Sequence, residues 1–380
     1  MKKVFTLMCL MIAINACPAE KSVDIDGLKY SLRGGEFVVV SDNSDTELPP
    51  GDIIVKDYVE IDGVTYPVSV IECIASADGR KVIIPQTVKE VWTGLRGAVL
   101  DELPSSLEAC RVFAFTESTL PEAVSLPSIK DLGPNSFMTA KGVKKITLGP
   151  DISSFGAYAF SGTEISEIVF EDGEQSDFAF ISNWGVSFMP YLEELKLPKW
   201  SNLTLGDCAV AACENLKRVI FPDVKSIEYG YCQFYSDLAI MIRDVPVYGF
   251  FFCGCPKLKE IVCLGETPIE ITNIDNFKEK NTWVKNTAEE FTFMDNMEGC
   301  VLKVPAGSEA LYRAHPVWGR FQTILGFENG DYNLVSINSV KADENSEPVY
   351  YNLQGIQVKE PVKGQIYIRK AGAETTKVIM

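Results

Sequence analysis

The sequence predicts an α/β-type solenoid, strand-rich and helix-poor, with a β cap at its N-terminal end, a second cap at its C-terminal end and a small β unit beyond. Three observations predict it. The phrase "VKKITL" at 143–148 returns as "ISEIVF" from Ile165, "LEELKL" from Leu192, "LKRVIF" from Leu216, "LAIMIR" from Leu238 and "LKEIVC" from Leu258, at steps of 22, 27, 24, 22 and 20 residues. Within each phrase the last two apolar positions alternate, so both face one side of a short strand. A turn follows, often with proline ("SLPSI", "KLPKW", "IFPDV"), and proline ends a strand ladder because it has no N–H.

Composition narrows the class. A chain of 380 residues that is 46% hydrophobic can bury a core, which excludes wholesale disorder. Its formal charge of −17 repels phosphate backbones, so nucleic acid is excluded as a partner, and solubility is the plain reading of the acidity.

From the N-terminus, residues 1–16 read as a signal peptide: Lys2 and Lys3 precede the short apolar run "VFTLMCLMIAI". The run ends in Ile14-Asn15-Ala16-Cys17, which resembles a bacterial lipobox and makes Cys17 the expected lipid anchor; cleavage after Ala16 or Ala19 is the alternative. No later segment is long and apolar enough to span a bilayer. In 17–63 and just beyond, "IDGLKYSL" and "IDGVTYPVSVI" alternate like strands around Asp-Gly turns.

Residues 64–268 hold the repeats. A period of 20–29 residues with aliphatics at fixed offsets is the signature of a leucine-rich repeat. One coil cannot bury its own apolar side, and stacked coils share a continuous core. A second apolar position recurs at Leu132, Phe155, Leu205, Ile227 and Val247. A pair follows at Ser136-Phe137, Ala159-Phe160, Ala209-Val210, Tyr231-Cys232 and Phe251-Phe252, expected to stack as an aromatic spine. Cys213 and Cys255 share one column. Residues 92–123 fit the pattern poorly, and the coil through 171–189 is too long, which marks 176–189 as an insert.

The combined pattern resembles the BspA-like leucine-rich repeats of Gram-negative surface proteins. "CVLKVPAGSEALYRAHPVWGRFQTI", within 269–328, resembles that family's C-terminal cap, with Ser308 capping a short helix that Pro316 ends. The hairpin segments resemble its N-terminal cap. Residues 329–380 read as a linker and a small β tail, with Gly355 and Gly364 in turns.

The sequence holds little that chemistry could use. His315, its one histidine, lies in the expected cap and lacks an accompanying nucleophile motif. Cys253-Gly254-Cys255 has no second pair at metal-ligand spacing and reads as core packing. Most of the 11 cysteines read as small buried residues, with room for one disulfide. No cofactor and no metal are expected, and no carboxylate pair stands out among 52 acidic residues.

Candidate binding residues fall in two groups. On the strand face, Lys144, Lys145, Glu193, Glu194, Lys217 and Arg218 point outward, and the outward aliphatics Ile220, Ile242 and Val262 offer a desolvated centre. In the insert, Phe178, Phe180, Trp184 and Phe188 offer rings to a sugar or a protein. The resemblance implies a non-catalytic cell-surface protein that adheres to, or captures protein from, a host or neighbouring cell through its strand face. A glycan-binding protein using the insert is the alternative, and a glycoside-active enzyme a third reading. The expected location is the outer membrane through the lipid on Cys17, otherwise the periplasm or the medium. Cys17→Ser is then expected to move the protein from the membrane to the soluble fraction; unchanged membrane association and electrophoretic mobility would show that Cys17 carries no lipid.

Overall fold

The computed structural model describes residues 21–42, 48–74, 77, 79–171, 178–199, 202–230, 251–272, 293–294, 297–328, 330–333, 349–352, 355–358, 361–371 and 374–379. Residues 1–16 and Cys17 lie outside them.

The N-terminal hairpins form where the Asp-Gly pairs allow them. Lys21–Ile25 pairs antiparallel with Leu28–Arg33, and Tyr58–Ile61 with Val64–Cys73. The turn residues Asp26, Gly27, Asp62 and Gly63 all have positive φ, from 52° to 81°, as a two-residue turn matched to strand twist requires. Val64–Cys73 then begins a parallel sheet that runs up the molecule.

Each coil has three faces. The first carries the repeated phrase. Ala123–Leu126, Lys145–Leu148 and Glu167–Phe170 pair in parallel, and so do Glu194–Lys196, Arg218–Phe221, Glu260–Cys263, Val301–Pro305 and Thr323–Phe327 further on. The anchors Val143, Ile165, Leu192, Leu216 and Leu258 are all at most 1% exposed. The second face carries the second apolar position, with Cα partners running Glu90, Ala109, Asp131, Ser154, Phe180, Thr204, Glu228 and Thr272. The third face is a run of tight turns, with short strands at Val186–Ser187, Val210–Ala211 and Phe252–Cys253.

The core is the shared interior. Phe115, Phe137 and Phe160 stack up it at centroid distances of 5.1 and 5.6 Å. Val186 and Val210 interrupt the aromatic column, which resumes at Phe252, Phe293 and Trp318. The C-terminal cap closes it. Helix Glu309–Ala314 and the turn Trp318–Arg320 place Tyr312 and Trp318 fully inside, where the Trp318 indole N–H donates to the Ile269 carbonyl at 2.7 Å. Ser308 occupies the N-cap position but makes no side-chain cap bond; its backbone is already helical there, and Glu309 instead accepts from the Gly307 N–H at 2.7 Å. The tail forms a separate antiparallel sheet of Val349–Tyr351, Gln357–Val358, Ile366–Ala371 and Glu374–Ile379.

The coil count differs from the sequence reading in two places. Residues 92–123 are regular coil: Ala109–Cys110 sits in the second-face sheet, and Leu95, Leu107 and Phe115 are buried. The Leu238 phrase, with Tyr231-Cys232 and Val247, lies outside the described residues. On either side of it Arg218–Phe221 pairs directly with Glu260–Cys263, and Val210 directly with Phe252. One coil therefore spans 42 residues in register, Arg218 to Glu260, and the next 41, Glu260 to Val301, where 22 to 24 is usual. Finally, 178–189 is ordinary coil: Phe178–Ile181 pairs with Asn202–Gly206, and Val186 with Val210. In both cases apolar spacing failed to resemble a repeat that only hydrogen-bond register decides.

Two substitutions test this packing. Leu216→Asp puts a carboxylate where Leu216 is 0% exposed and is expected to cost on the order of 4 kcal/mol or more in a melting experiment, whereas Lys217→Ala, at an exposed ion pair, leaves the transition in place. Gly149→Ala places a Cβ 1.9 Å from the Pro127 carbonyl oxygen on the preceding coil; an expected loss of about 1–3 kcal/mol or more would show as a lowered denaturant midpoint.

Candidate binding surface

On the first face the charged candidates meet one another. Lys144 pairs with Glu122 at 3.0 Å, Lys145 with Glu167 at 2.7 Å, and Lys217 with Glu193 at 2.7 Å. Arg218 bridges Glu194 at 3.1 Å and Glu260 at 2.5 Å, and Lys303 reaches Glu260 at 3.0 Å. Every pair joins neighbouring coils. Exposed pairs of this kind contribute little to stability. The Glu260 cluster is more enclosed: burial raises its carboxyl pKa, but hydrogen bonds from Lys303 and Arg218 outweigh that and hold it below the usual carboxylate range. Its contribution is therefore present at neutral pH and is lost as pH falls through that lowered value.

The aliphatic centre of the first face is covered. Ile220 and Val262 are 0% exposed and pack with Phe327, Leu264 and Tyr332. The chain after Thr323–Phe327 turns back over them. The Arg218 guanidinium stands 5.3 Å from the centroid of the Tyr332 ring, and the Lys303 ammonium donates to the Tyr332 carbonyl at 3.1 Å. The expectation that Ile220 and Val262 meet solvent is thus corrected: alternation shows which residues leave the coil interior, and a distant segment fills the space beyond them. Ile242 lies outside the described residues.

The third face presents a different surface. Its turns repeat two left-handed residues per coil. One column holds Phe113, Asn135, Tyr158, Trp184 and Cys208; the other holds Glu117, Thr139, Gly162, Phe188, Ala212 and Gly254, all with φ between 48° and 71°. Backbone bonds stack the columns: the Tyr158 N–H donates to Trp184 at 2.8 Å, and the Gly162 N–H to Phe188 at 2.8 Å. Glycine and asparagine suit this conformation, and a bulky residue in it costs about 1 kcal/mol or more.

Three aromatics accept that cost side by side. Tyr158 and Trp184 lie 6.1 Å apart at 24°, Trp184 and Phe188 6.0 Å apart at 13°, and Tyr158 and Phe188 6.3 Å apart at 30°. Their rings are close to parallel. Phe188 is 46% exposed because its column neighbours, Gly162 and Ala212, are small. Tyr191, three residues on, is 56% exposed. Trp184 packs inward on Cys208, Ala211 and Cys253, and Cys208 and Cys253 form a disulfide across neighbouring coils. Cys253 is therefore a cross-link rather than simple packing. Among the described residues the Tyr158 hydroxyl has no hydrogen-bond partner, and burial raises its pKa, so it stays protonated as a donor.

Trp184 and Phe188 are thus brought together, while Phe180 lies half-buried in the second-face strand and the Phe178 side chain falls outside those described. Tyr158 was missed. The signal was available: in "FGAYAF" it stands immediately before Ala159-Phe160, the slot that Trp184 fills one coil later.

His315 has a structural use. Its Nδ1 accepts the backbone N–H groups of Val317 and Trp318 at 3.2 and 3.3 Å, and burial lowers its pKa, which keeps the ring neutral and accepting. Among the described residues no group of three or more His, Cys, Asp and Glu could hold a metal ion.

Comparison with known proteins agrees with the coil geometry. Residues 82–184 match the family described as BspA type leucine-rich repeat region, in six copies. No curated protein matches the chain. Similar solved structures include a leucine-rich repeat protein from Bacteroides ovatus (13% identity, 74% of this chain and 82% of that one, TM-score 0.34). A leucine-rich cell surface protein from Faecalibacterium prausnitzii matches at 15% identity over 72% of this chain and 100% of that one, with a TM-score of 0.30. The pneumococcal vaccine antigen PcpA matches at 14% identity over 82% and 100%, with a TM-score of 0.31. Residues 82–184, whose parallel strands continue into coils on either side, are thus similar to BspA-type leucine-rich repeats.

Proposed function

We propose that the protein is an exported, non-catalytic binding protein that captures a protein partner at a cell surface through the aromatic group of its third face. The observation that carries this reading is the near-parallel set of Tyr158, Trp184 and Phe188, with Phe188 46% exposed between small neighbours. Nothing in the coil requires aromatics there, since Asn135, Thr139 and Gly254 fill the same columns elsewhere. Rings held rigid by a shared backbone ladder lose little entropy on binding, and protruding tyrosine, tryptophan and phenylalanine anchors dominate protein interfaces. The first face supports the reading less, because its charges are paired and its aliphatic centre is covered.

Binding of the purified chain to whole host or neighbouring bacterial cells tests the proposal. Phe188→Asn with Tyr191→Ser keeps a residue suited to the left-handed position. The pair is expected to weaken binding about tenfold or more, with an unchanged melting midpoint. Protease treatment of the cells is expected to abolish binding and glycosidase treatment to spare it. Full binding by the folded variant would refute the aromatic site, and sensitivity to glycosidase alone would point to a glycan.

A further inference from the structure

The coil that begins at Leu216 is unusual in length. Its Arg218 and the next coil's Glu260 are 42 residues apart in sequence yet stand in register on adjacent strands. Closing a longer loop costs more chain entropy, so this is the rung whose docking most benefits from a covalent tie. The Cys208–Cys253 disulfide supplies one, joining residues 45 apart.

A second pair of sulfurs lies beside it. Val210–Ala211 pairs in parallel with Phe252–Cys253, Ala211 facing Cys253, so two residues further on Cys213 faces Cys255. The local turns agree: the Leu216 N–H donates to the Cys213 carbonyl at 3.2 Å, and the Leu258 N–H to the Cys255 carbonyl at 3.0 Å. Each cysteine thus stands three residues before the anchor of its coil. Adjacent strands lie about 4.8 Å apart, inside the range of roughly 4.4–6.8 Å that a disulfide spans between Cα atoms. Both residues are buried, and both are thiols in this structure. A hydrogen bond with Cys255 lowers the Cys213 pKa in spite of its burial, whereas burial is the main cause that drives Cys110, Cys263 and Cys300 upward. The thiolate is the attacking species in disulfide exchange, which sets this pair apart from the other buried cysteines.

We infer that Cys213 and Cys255 are a second cross-linking site, closed by a small disulfide oxidant outside the cytoplasm, so that two disulfides hold the long coil to its neighbour. The exchange is balanced. The Cys255 thiolate attacks one sulfur of a disulfide R–S–S–R, forming a mixed disulfide and releasing one R–S⁻. The Cys213 thiolate then attacks the Cys255 sulfur and expels the second R–S⁻. The two thiol protons end on the two R–SH products, and the oxidant takes up two electrons. Cys255 retains 7% exposure and Cys213 none, which orders the steps: the outer sulfur takes the oxidant and the inner one resolves it.

The test uses the full chain treated with oxidised glutathione, denatured in iodoacetamide and digested with trypsin without reduction. Cys208 and Cys213 share one tryptic peptide, as do Cys253 and Cys255, so Cys208→Ala/Cys253→Ala is the decisive sample. The expected result is a covalent link between its two peptides, lighter by two hydrogens than their sum and lost on treatment with dithiothreitol. In the wild-type chain, fragmentation of the linked pair is expected to place bonds at 208–253 and 213–255, which keeps the inference testable if the double variant folds poorly. Two outcomes would overturn it: alkylation of both Cys213 and Cys255 in the oxidised wild-type chain with Cys208–Cys253 intact, or crossed links from Cys213 to Cys253 and from Cys208 to Cys255.

Discussion

Everything in this molecule depends on the parallel backbone ladder that sets coil upon coil. Neighbouring strands must lie about 4.8 Å apart on every face at once, so each coil repeats the same path. That spacing decides which residue types are tolerated. Aliphatics fill the interior because the polar groups there are the backbone's own, already bonded to the next coil. Glycine is required where two coils turn closest: a Cβ at Gly156 would stand 2.3 Å from the Pro134 nitrogen, and one at Gly206 2.4 Å from the Asn183 nitrogen. The charges follow the same spacing. Glu108 takes hydrogen bonds from both Lys130 and Lys89, which hold its carboxyl below the usual range, and Arg111 links Glu90 with Asp131 across three coils.

The ladder constrains the strands strongly and the corners weakly. Extra residues therefore fall between strands in the sequence and not within them: six at 172–177, between Glu167–Phe170 and Phe178–Ile181, and longer stretches after Ser226–Gly230 and after Glu270–Thr272. The two long coils are consecutive and both lengthen between the second and third faces. The rungs on either side keep their register, as the direct pairing of Arg218–Phe221 with Glu260–Cys263 and of that strand with Val301–Pro305 shows. A solenoid stores variation in this way because each coil contacts only its neighbours.

A uniform interior leaves distinctiveness to the surface. The third-face turns are where the backbone fixes a direction for the side chain but not its identity. Most of those positions hold small, polar or charged residues, and the run from Tyr158 to Phe188 holds three close-packed rings above a disulfide. The first face went the other way. Its outward aliphatics became part of a small second core beneath Phe327 and Tyr332, sealed by the Arg218–Glu260–Lys303 cluster.

The sequence by itself determined the coil. The alternation in "VKKITL" and its echoes names the buried anchors, the Asp-Gly pairs name the hairpins, and Pro and Gly name the corners, because each of these is a local demand that one residue and its near neighbours satisfy. Tertiary structure alone decided which phrases stack. Residues 92–123 lack the apolar spacing of a rung, yet hydrogen-bond register includes them, and it sets Arg218–Phe221 directly against Glu260–Cys263 across 42 residues. It also decided what the outward residues meet. Ile220 and Val262 are covered by a segment some 65 to 110 residues later, Lys145 pairs with Glu167 of the next coil, and Trp184 packs on a disulfide that begins in the coil after. Those neighbours are far apart along the chain, and only the stacking of one coil on the next brings them together.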